Sequence, residues 1–206
     1  MPKLLVLFYS RNGNTAALAD AIADGARSVR FSEVDVRRIE HPAVASDVSD
    51  AARSAPSGAF AARYQTLRSV EELSSSDAII LGSPSRHGIM CAEVARVLDE
   101  AAPHWHSGAF VNTVGSAFTS GAPGHGGHET TLWSIMTPMA SLGMILVPPG
   151  YSDPVMLAGG SPYGATTTAS DGAPDAGDLA AARHQGRRVA EVTAWITHAK
   201  SHHHAH

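Results

Sequence analysis

The sequence predicts an α/β protein built on a doubly wound, five-stranded parallel sheet. Short apolar segments alternate along the chain with amphipathic helical segments, which is typical of a parallel sheet covered on both faces. The apolar segments are apolar throughout, as strands buried on both faces are. Five such strands fit the order 2-1-3-4-5, a topology in which ligands bind beyond the carboxyl ends of the strands.

The individual elements follow from the spacing of apolar residues. The predicted strands are residues 3–9, 29–36, 77–83, 111–120 and 144–147. The first predicted helix begins at Thr15, and its Leu18 and Ile22 share one face. The later predicted helices are residues 70–76, 92–102, 128–142, with a kink at Pro138, and 179–196. Residues 41–63 and 151–175 are rich in small and polar residues and are predicted to be long surface connections.

Length and composition indicate one globular domain, predicted over residues 1–198 of the 206, followed by a His-rich tail that resembles an expression tag. The formal net charge is −4, which gives no reason to expect nucleic-acid binding. No apolar run approaches the roughly 18 residues needed to span a bilayer, so we expect no membrane insertion. Cys91 is the one cysteine, which fits a cytoplasmic location. We expect no metal site.

The loop between the first strand and the first helix, residues 10–15, contains hydroxyls, amides, one arginine and one glycine but no acid. A helix N-terminus presents unpaired N–H groups and partial positive charge, which suits an anion. The lysine of a Walker loop and the three glycines of a dinucleotide fingerprint are both missing. A single phosphate held mainly by uncharged donors fits best, although an ordinary turn capped by Asn and Ser explains the loop equally well.

Two further loops follow predicted strands, and this fold brings them to the same edge of the sheet as the first. The second, residues 82–88, has a stiffening Pro84 and two donor side chains, Arg86 and His87. Taken alone, it is best explained as a generic Gly/Pro turn. The third, residues 119–127, has four glycines whose amides could bond the edge of a heterocycle, and a flexible linker is the alternative.

Four motifs together resemble the WrbA family of flavodoxin-like NAD(P)H:quinone oxidoreductases. They are LFYSRNGNTAALADAI, DAIILGSPSRHGIMCAEVARVLDE, FTSGAPGHGGHETT and GGSPYGATTTASDG, and the resemblance extends from Lys3 to about Trp195. It implies a flavodoxin-like fold, FMN as the cofactor, NAD(P)H and quinones as substrates, and a homotetramer.

The resemblance also implies roles for the three loops: the first holds the FMN phosphate, the second lies along the ring, and the third bonds the polar edge of the ring. The implied FMN-binding residues are Ser10, Arg11, Asn12, Gly13, Asn14, Thr15, Pro84, Ser85, Arg86, His87, Gly88, Ser120, Gly121, Ala122, Pro123, Gly124, His125 and Gly126. Trp105 matches a tryptophan of the family that lines the substrate pocket, often beside the site of a neighbouring subunit. Asn12 and Leu142 stand where the family often has Tyr and His.

The function predicted in this way is two-electron reduction of quinones by NAD(P)H, with both substrates using one flavin pocket in turn. No protein nucleophile is required, and His87 and His125 are candidates for handling a proton. No Asp or Glu occurs between Gly82 and Ala92 or between Ala101 and His128, which favours an enzyme over a low-potential electron carrier. A flavodoxin-type carrier and a non-enzymatic FMN-binding or interaction protein are the alternatives.

Overall fold

A parallel sheet forms the centre of the chain in the computed structural model, which describes residues 1–40, 62–122, 124–158, 160–168 and 173–203. The strands are β1 Lys3–Phe8, β2 Glu33–Arg38, β3 Gln65–Thr66, β4 Ala78–Pro84, β5 Val114–Ser120, β6 Ile145–Leu146 and β7 Thr166–Thr167. The helices are α1 Asn14–Arg27, α2 Glu71–Ser74, α3 Ala92–Glu100, α4 His128–Ser141, α5 Val155–Ala158 and α6 Ala176–His203, with a 3₁₀ turn at Ala102–His104.

The strand order within these described residues is β3-β2-β1-β4-β5-β6, with β7 also paired to β5 and every pairing parallel. The five predicted strands therefore occur in the predicted order, and the predicted fold class is confirmed. The strands β3 and β7, of two residues each, are additions to it. β2 begins at Glu33, four residues later than predicted, because Phe31 has a φ of 65° that is incompatible with a strand.

The prediction for residues 41–61 lies outside the described residues. The predicted connection of residues 151–175 instead contains α5 and β7, whose few residues leave no periodic signal. Helix α4 continues past Pro138, so the residues on both sides of it stay helical. Helix α6 runs to His203, which puts the predicted start of the tail inside a helix. Among the described helices, none is long and apolar enough to cross a membrane.

The central strands divide the core into two layers because successive side chains point to opposite faces. Leu4, Val6 and Phe8 pack into the layer beneath α1 and α6. Leu5 and Leu7 pack on the other face, beneath α3 and α4. All residues of β4 and β5 are buried, as the uniform apolar runs of the sequence predict.

Helices α1 and α6 touch backbone to backbone at two glycines. A Cβ on Gly25 would overlap the carbonyl group of Arg183, and a Cβ on Gly186 would overlap the carbonyl group of Ile22. Since both obstacles are main-chain atoms, a side chain at either position would force the helices apart. This contact fixes the close spacing of α1 and α6 over the same layer of the core.

We expect Gly186→Ala to lower the free energy of unfolding by about 2 kcal/mol or more, although alanine is the better helix former. Urea denaturation followed by circular dichroism measures the change. Gly124→Ala is the matched control, since a Cβ at Gly124 meets no atom within 4 Å. Equal stability of the two variants would show that the α1–α6 contact relaxes without cost.

A buried glutamine bridges a gap in the sheet beside β5. The start of β5 pairs with β6 and its end pairs with β7, so neither short strand reaches the middle of β5. Gln185, fully buried, donates through Nε2 to Ser116 Oγ and to the Ala117 carbonyl oxygen, both at 2.8 Å. Its Oε1 accepts from the Ala165 N–H at 2.7 Å. The side-chain amide thus supplies hydrogen bonds where no strand does.

Replacing Gln185 with Leu leaves the Ala165 N–H and the Ala117 carbonyl oxygen without their buried partner. Because an unsatisfied buried polar group costs about 1–3 kcal/mol, we expect the variant to lose about 2–4 kcal/mol of stability. Urea titration provides the measurement, with the exposed Gln65→Leu as the control. A loss no larger than that of the control would mean that water replaces the amide.

Candidate functional site

Three loops meet at the carboxyl edge of the sheet and enclose a cleft. They follow β1, β4 and β5, the three adjacent central strands. The residues that line the cleft are Ser10, Arg11, Asn12, Asn14, Thr15, Pro84, Ser85, Arg86, Ser120, Gly121 and Ala122. All of them belong to the set predicted from the sequence, so the fold brings the core of the three predicted loops together.

The first loop is shaped by Gly13, which precedes α1 with a φ of 95° in the left-handed region that favours glycine. The Gly13 N–H donates to Ser10 Oγ at 3.1 Å and closes the turn. No side chain caps α1 at Gly13, and the first turn of the helix contains no acid. The positive end of the helix dipole therefore faces the cleft without a carboxylate to neutralise it.

A pair of buried hydroxyls ties the first loop to the third. Thr15 Oγ1 and Ser120 Oγ lie 2.7 Å apart, and both residues are buried. Ser10, which lines the same cleft, is also buried. Three hydroxyls at the base of a cleft that opens at a helix N-terminus form a cradle suited to the oxygens of an anion.

The second loop ends in a tight turn between Arg86 and Ile89, whose main-chain groups exchange hydrogen bonds of 2.8 and 3.0 Å. His87 and Gly88 occupy its centre with φ values of 54° and 82°, a type I′ geometry. A positive φ is uncommon for residues other than glycine, and the side chain of His87 is exposed at the tip of the turn.

Ser85 links the second loop to the third through hydrogen bonds. Its N–H donates to the Ser120 carbonyl oxygen at 2.7 Å, which continues the pairing of β4 with β5. Its Oγ donates to the Gly126 carbonyl oxygen at 2.7 Å and accepts from Thr131 Oγ1 at 2.9 Å. Through Thr131, the first turn of α4 is thereby hydrogen-bonded to the residue that links the two loops.

The third loop returns to the sheet at Gly121, whose N–H donates to the Thr167 carbonyl oxygen of β7. That amide is already used within the protein, although the sequence suggests that the amides of this loop face a ligand. The loop ends at Gly127, which has a φ of 72°, and α4 begins at His128. His128 is buried beside Gly121 and is absent from the predicted site. Sequence reasoning missed it because it was assigned only to the start of a helix.

The other predicted site residues lie in the same loops but outside the cleft wall: Gly13, His87, Gly88, Gly124, His125 and Gly126. Pro123 falls outside the described residues. Trp105 lies between α3 and β5, where the neighbouring His104 Nε2 is 3.9 Å from Glu71 Oε1 at the start of α2. The segment that contains Trp105 leads into the amino end of β5, opposite the carboxyl edge, and Trp105 is not among the residues that line the cleft of its own chain. Its role beside the site of a second subunit stays a prediction.

The electrostatics of the cleft are set by Arg11 and Arg86, and none of the described residues that line it is acidic.

Cys91, at the start of α3, is buried, and burial raises the pKa of its thiol to about 11. The thiol is protonated at neutral pH and is no nucleophile. Burial and the neighbouring Glu93 raise the pKa of Tyr9 to about 12, so this phenol also stays neutral. None of the described residues that line the cleft therefore suggests covalent catalysis by the protein.

Comparison with known proteins identifies the family. The model of the NADPH-dependent FMN reductase family matches residues 2–153. The chain belongs to the NADPH-dependent FMN reductase family. An NAD(P)H dehydrogenase (quinone) of Bradyrhizobium diazoefficiens is 41% identical over 205 residues, which cover 93% of this chain and 97% of the relative. Another of the same name, from Trichlorobacter lovleyi, is 39% identical over 96% of this chain and all of the relative.

Solved structures agree with the fold of this FMN reductase family member. A WrbA-like flavodoxin from Agrobacterium tumefaciens superposes with a TM-score of 0.67 and 23% identity over 95% of this chain and 99% of its own. Flavodoxin 1 of Bacillus cereus gives 0.60 and 17% over 92% and 97%. The flavodoxin-like fold and the family resemblance predicted from the four motifs are confirmed.

The residues present fit FMN. Its single phosphate matches a cradle of three hydroxyls at a helix N-terminus with no acid in the first turn. The remainder of the cleft is lined by the second and third loops, which Ser85 holds together. The Nε2 atom of His128, buried beside these loops, has no hydrogen-bond partner among the described residues. Since that atom is buried and His128 does not line the cleft, the fit to FMN rests on the cradle and on the loops.

We expect Thr15→Val to weaken FMN binding about tenfold or more, because a hydrogen bond to a charged group contributes about 1.5–3 kcal/mol. Quenching of flavin fluorescence on titration with FMN-depleted protein gives the dissociation constant. Thr15→Ser keeps the hydroxyl and should bind FMN as the unmodified chain does. Riboflavin, which lacks the phosphate, should bind equally to both variants. An equal loss for both flavins would contradict a phosphate contact at this residue.

Proposed function

We propose that the chain is an NAD(P)H:quinone oxidoreductase that transfers two electrons through FMN by a ping-pong mechanism. FMN is the cofactor that the family and the fold indicate, and the chain is an oxidoreductase. The observation that supports the proposal most directly is the acid-free cleft formed by three loops at the carboxyl edge of the sheet. The names of the relatives at about 41% identity supply the substrate class.

In this proposal the side chains of the protein bind FMN and orient it. Ser10, Thr15 and Ser120 hold the phosphate at the base of the cleft, beside the N-terminus of α1. Arg11 and Arg86 stabilise negative charge in the cleft. When bound, FMN supplies a hydride acceptor and donor that the side chains themselves lack.

One opening serves both substrates. In this proposal both substrates enter the one cleft that the three loops line, where hydrogen bonds through Ser85 and Ser120 join the loops. NAD(P)H and the quinone therefore occupy the same place in turn. His87 and His125 are exposed in the second and third loops, and we propose them as donors of a proton to the quinone oxygen. His-to-Ala variants with unchanged quinone turnover would exclude that role.

A homotetramer is the assembly that we propose, with Trp105 reaching the site of another subunit. Exposed aromatic surface supports association: Trp133 and Tyr163 lie with ring centroids 5.3 Å apart, and Trp133 is 46% exposed. Ile89, 58% exposed, ends the turn of the second loop. Light scattering coupled to size exclusion measures the mass of the assembly.

We also propose a cytoplasmic location, which fits the single buried cysteine.

The decisive experiment measures oxidation of NADH and NADPH by FMN-loaded protein with and without benzoquinone. We expect turnover that depends on benzoquinone, and parallel double-reciprocal plots when both substrates are varied, since the first product leaves before the second substrate binds. Intersecting plots would contradict the shared pocket. FMN binding without quinone-dependent turnover would favour the electron carrier, and failure to bind FMN would favour a non-enzymatic interaction protein.

A further inference from the structure

The connection between β4 and α3, residues 85–91, is held in place by the protein itself. Hydrogen bonds to other groups of the chain are donated by the main-chain N–H groups of Ser85, Arg86, Ile89, Met90 and Cys91. A segment whose amides are used in this way needs no ligand to satisfy them. Because Ser85 and Arg86 line the cleft, the internal hydrogen bonds of the connection determine the shape of one cleft wall.

The side chain of Ser83 closes the β4–α3 connection at its base. Ser83 lies in β4 and is fully buried. Its Oγ donates to the Pro84 carbonyl oxygen at 2.9 Å and accepts from the Cys91 N–H at 2.8 Å. One hydroxyl thereby joins the last residue of β4 to the residue before α3. The Ser83 carbonyl oxygen accepts from Thr119 Oγ1 of β5 at 2.7 Å, which fixes Ser83 to the neighbouring strand.

The rest of the connection is anchored on α4. The Met90 N–H donates to Ser134 Oγ of that helix at 2.9 Å. A Cβ added to Gly127, the residue before α4, would lie 2.6 Å from the Gly88 Cα, so the two main chains are in direct contact there. The turn and the side of the connection thus depend on main-chain groups and on α4. The base depends on Ser83, whose Oγ is the acceptor of the Cys91 N–H.

We propose that Ser83 is a positioning residue for flavin binding, whose hydroxyl fixes the β4–α3 connection before the ligand arrives. The proposal rests on FMN binding in this cleft, and it does not require Ser83 to touch the ligand. A segment that is already ordered loses little conformational freedom on binding, so its ordering does not weaken the affinity. Without the hydroxyl, the flavin would have to order the wall that contains Ser85 and Arg86 as it binds.

Three variants separate positioning from general stability. Ser83→Ala removes the hydroxyl, and Ser83→Thr keeps it. Ser116→Ala is the matched control: Ser116 is also a fully buried strand serine, and its Oγ donates to the Val147 carbonyl oxygen and accepts from Gln185 Nε2. Unlike the wall beside Ser83, it is not part of the cleft lining.

Titration of flavin-free protein with FMN and with riboflavin measures the effect on affinity. We expect Ser83→Ala to raise both dissociation constants about fivefold or more, because the wall is separate from the phosphate cradle. Ser116→Ala should change them less than about twofold, and Ser83→Thr less than about threefold. Thr15→Val serves as a second comparison, since its loss should be confined to FMN.

Amide hydrogen exchange in the flavin-free protein tests the positioning directly. In the unmodified chain, slow exchange is expected before FMN is added at the amides of Arg86, Ile89, Met90 and Cys91. In Ser83→Ala the same four amides should exchange about tenfold faster or more, while those of β1 keep their rates. Ser116→Ala and Ser83→Thr should leave the four amides protected.

Rapid exchange of the four amides in the unmodified flavin-free chain, slowed only by FMN, would overturn the proposal, because the ligand would then order the connection. Unchanged flavin affinity in Ser83→Ala would also overturn it, as would exchange that rises equally throughout the sheet. If Ser83→Ala does not fold, a folded Ser83→Thr that protects the four amides and binds both flavins supports the role of the hydroxyl, and one that leaves them unprotected contradicts it. An unmodified chain that bound no FMN would end the proposed function as well, whereas normal FMN binding with an indifferent Ser83 would overturn only the present inference.

Discussion

The parallel register of β1, β4 and β5 is the constraint on which the cleft depends. Pro84 of β4 pairs with Ser120 of β5, so the two strands end at the same height. The chain leaves both strands there, and Ser120 accepts from the Ser85 N–H through its carbonyl oxygen and meets Thr15 through its hydroxyl. One residue at a strand end thereby joins all three loops. A register slip of one residue would turn the Ser120 side chain to the opposite face and separate the loops.

The packing of α1 against α6 affects the position of the first loop, which precedes α1. The N-terminus of α1 can act on an anion only if the helix lies close to the strand ends, and the position of α1 depends on its contact with α6. Gly25 and Gly186 let the two backbones touch, which a pair of ordinary helices with side chains between them does not do. Helix α6 also supplies Gln185, which closes the gap in the sheet between β6 and β7. The same helix therefore packs against the helix that begins at the phosphate cradle and completes the edge from which the third loop leaves.

The features that the sequence predicts well are those with a local signal. The uniform apolar runs of β1, β4 and β5 indicate strands, and the acid-free loops after them indicate the cleft, because strand ends in this topology converge. The features that it misses arise from distant contacts. β7 has two residues and exists only because β5 offers an edge, and Gln185 resembles any polar residue of a helix until the gap beside it is seen. The burial of His128 is missed because the loop that folds it back against Gly121 has no periodic pattern.

The charge of the cleft bears on the choice between enzyme and electron carrier. A low-potential carrier benefits from carboxylates near its cofactor, because they repel the negative charge that reduction adds. The described residues that line this cleft include Arg11 and Arg86 but no carboxylate, and the open N-terminus of α1 adds further positive potential. Such surroundings stabilise a doubly reduced cofactor rather than penalise it. Tyr9 and Cys91 stay neutral at physiological pH, and Glu93, the carboxylate that interacts with both, is not among the residues that line the cleft. A site of this polarity accepts a hydride readily, and transfer of an electron pair to a quinone is the chemistry that uses it.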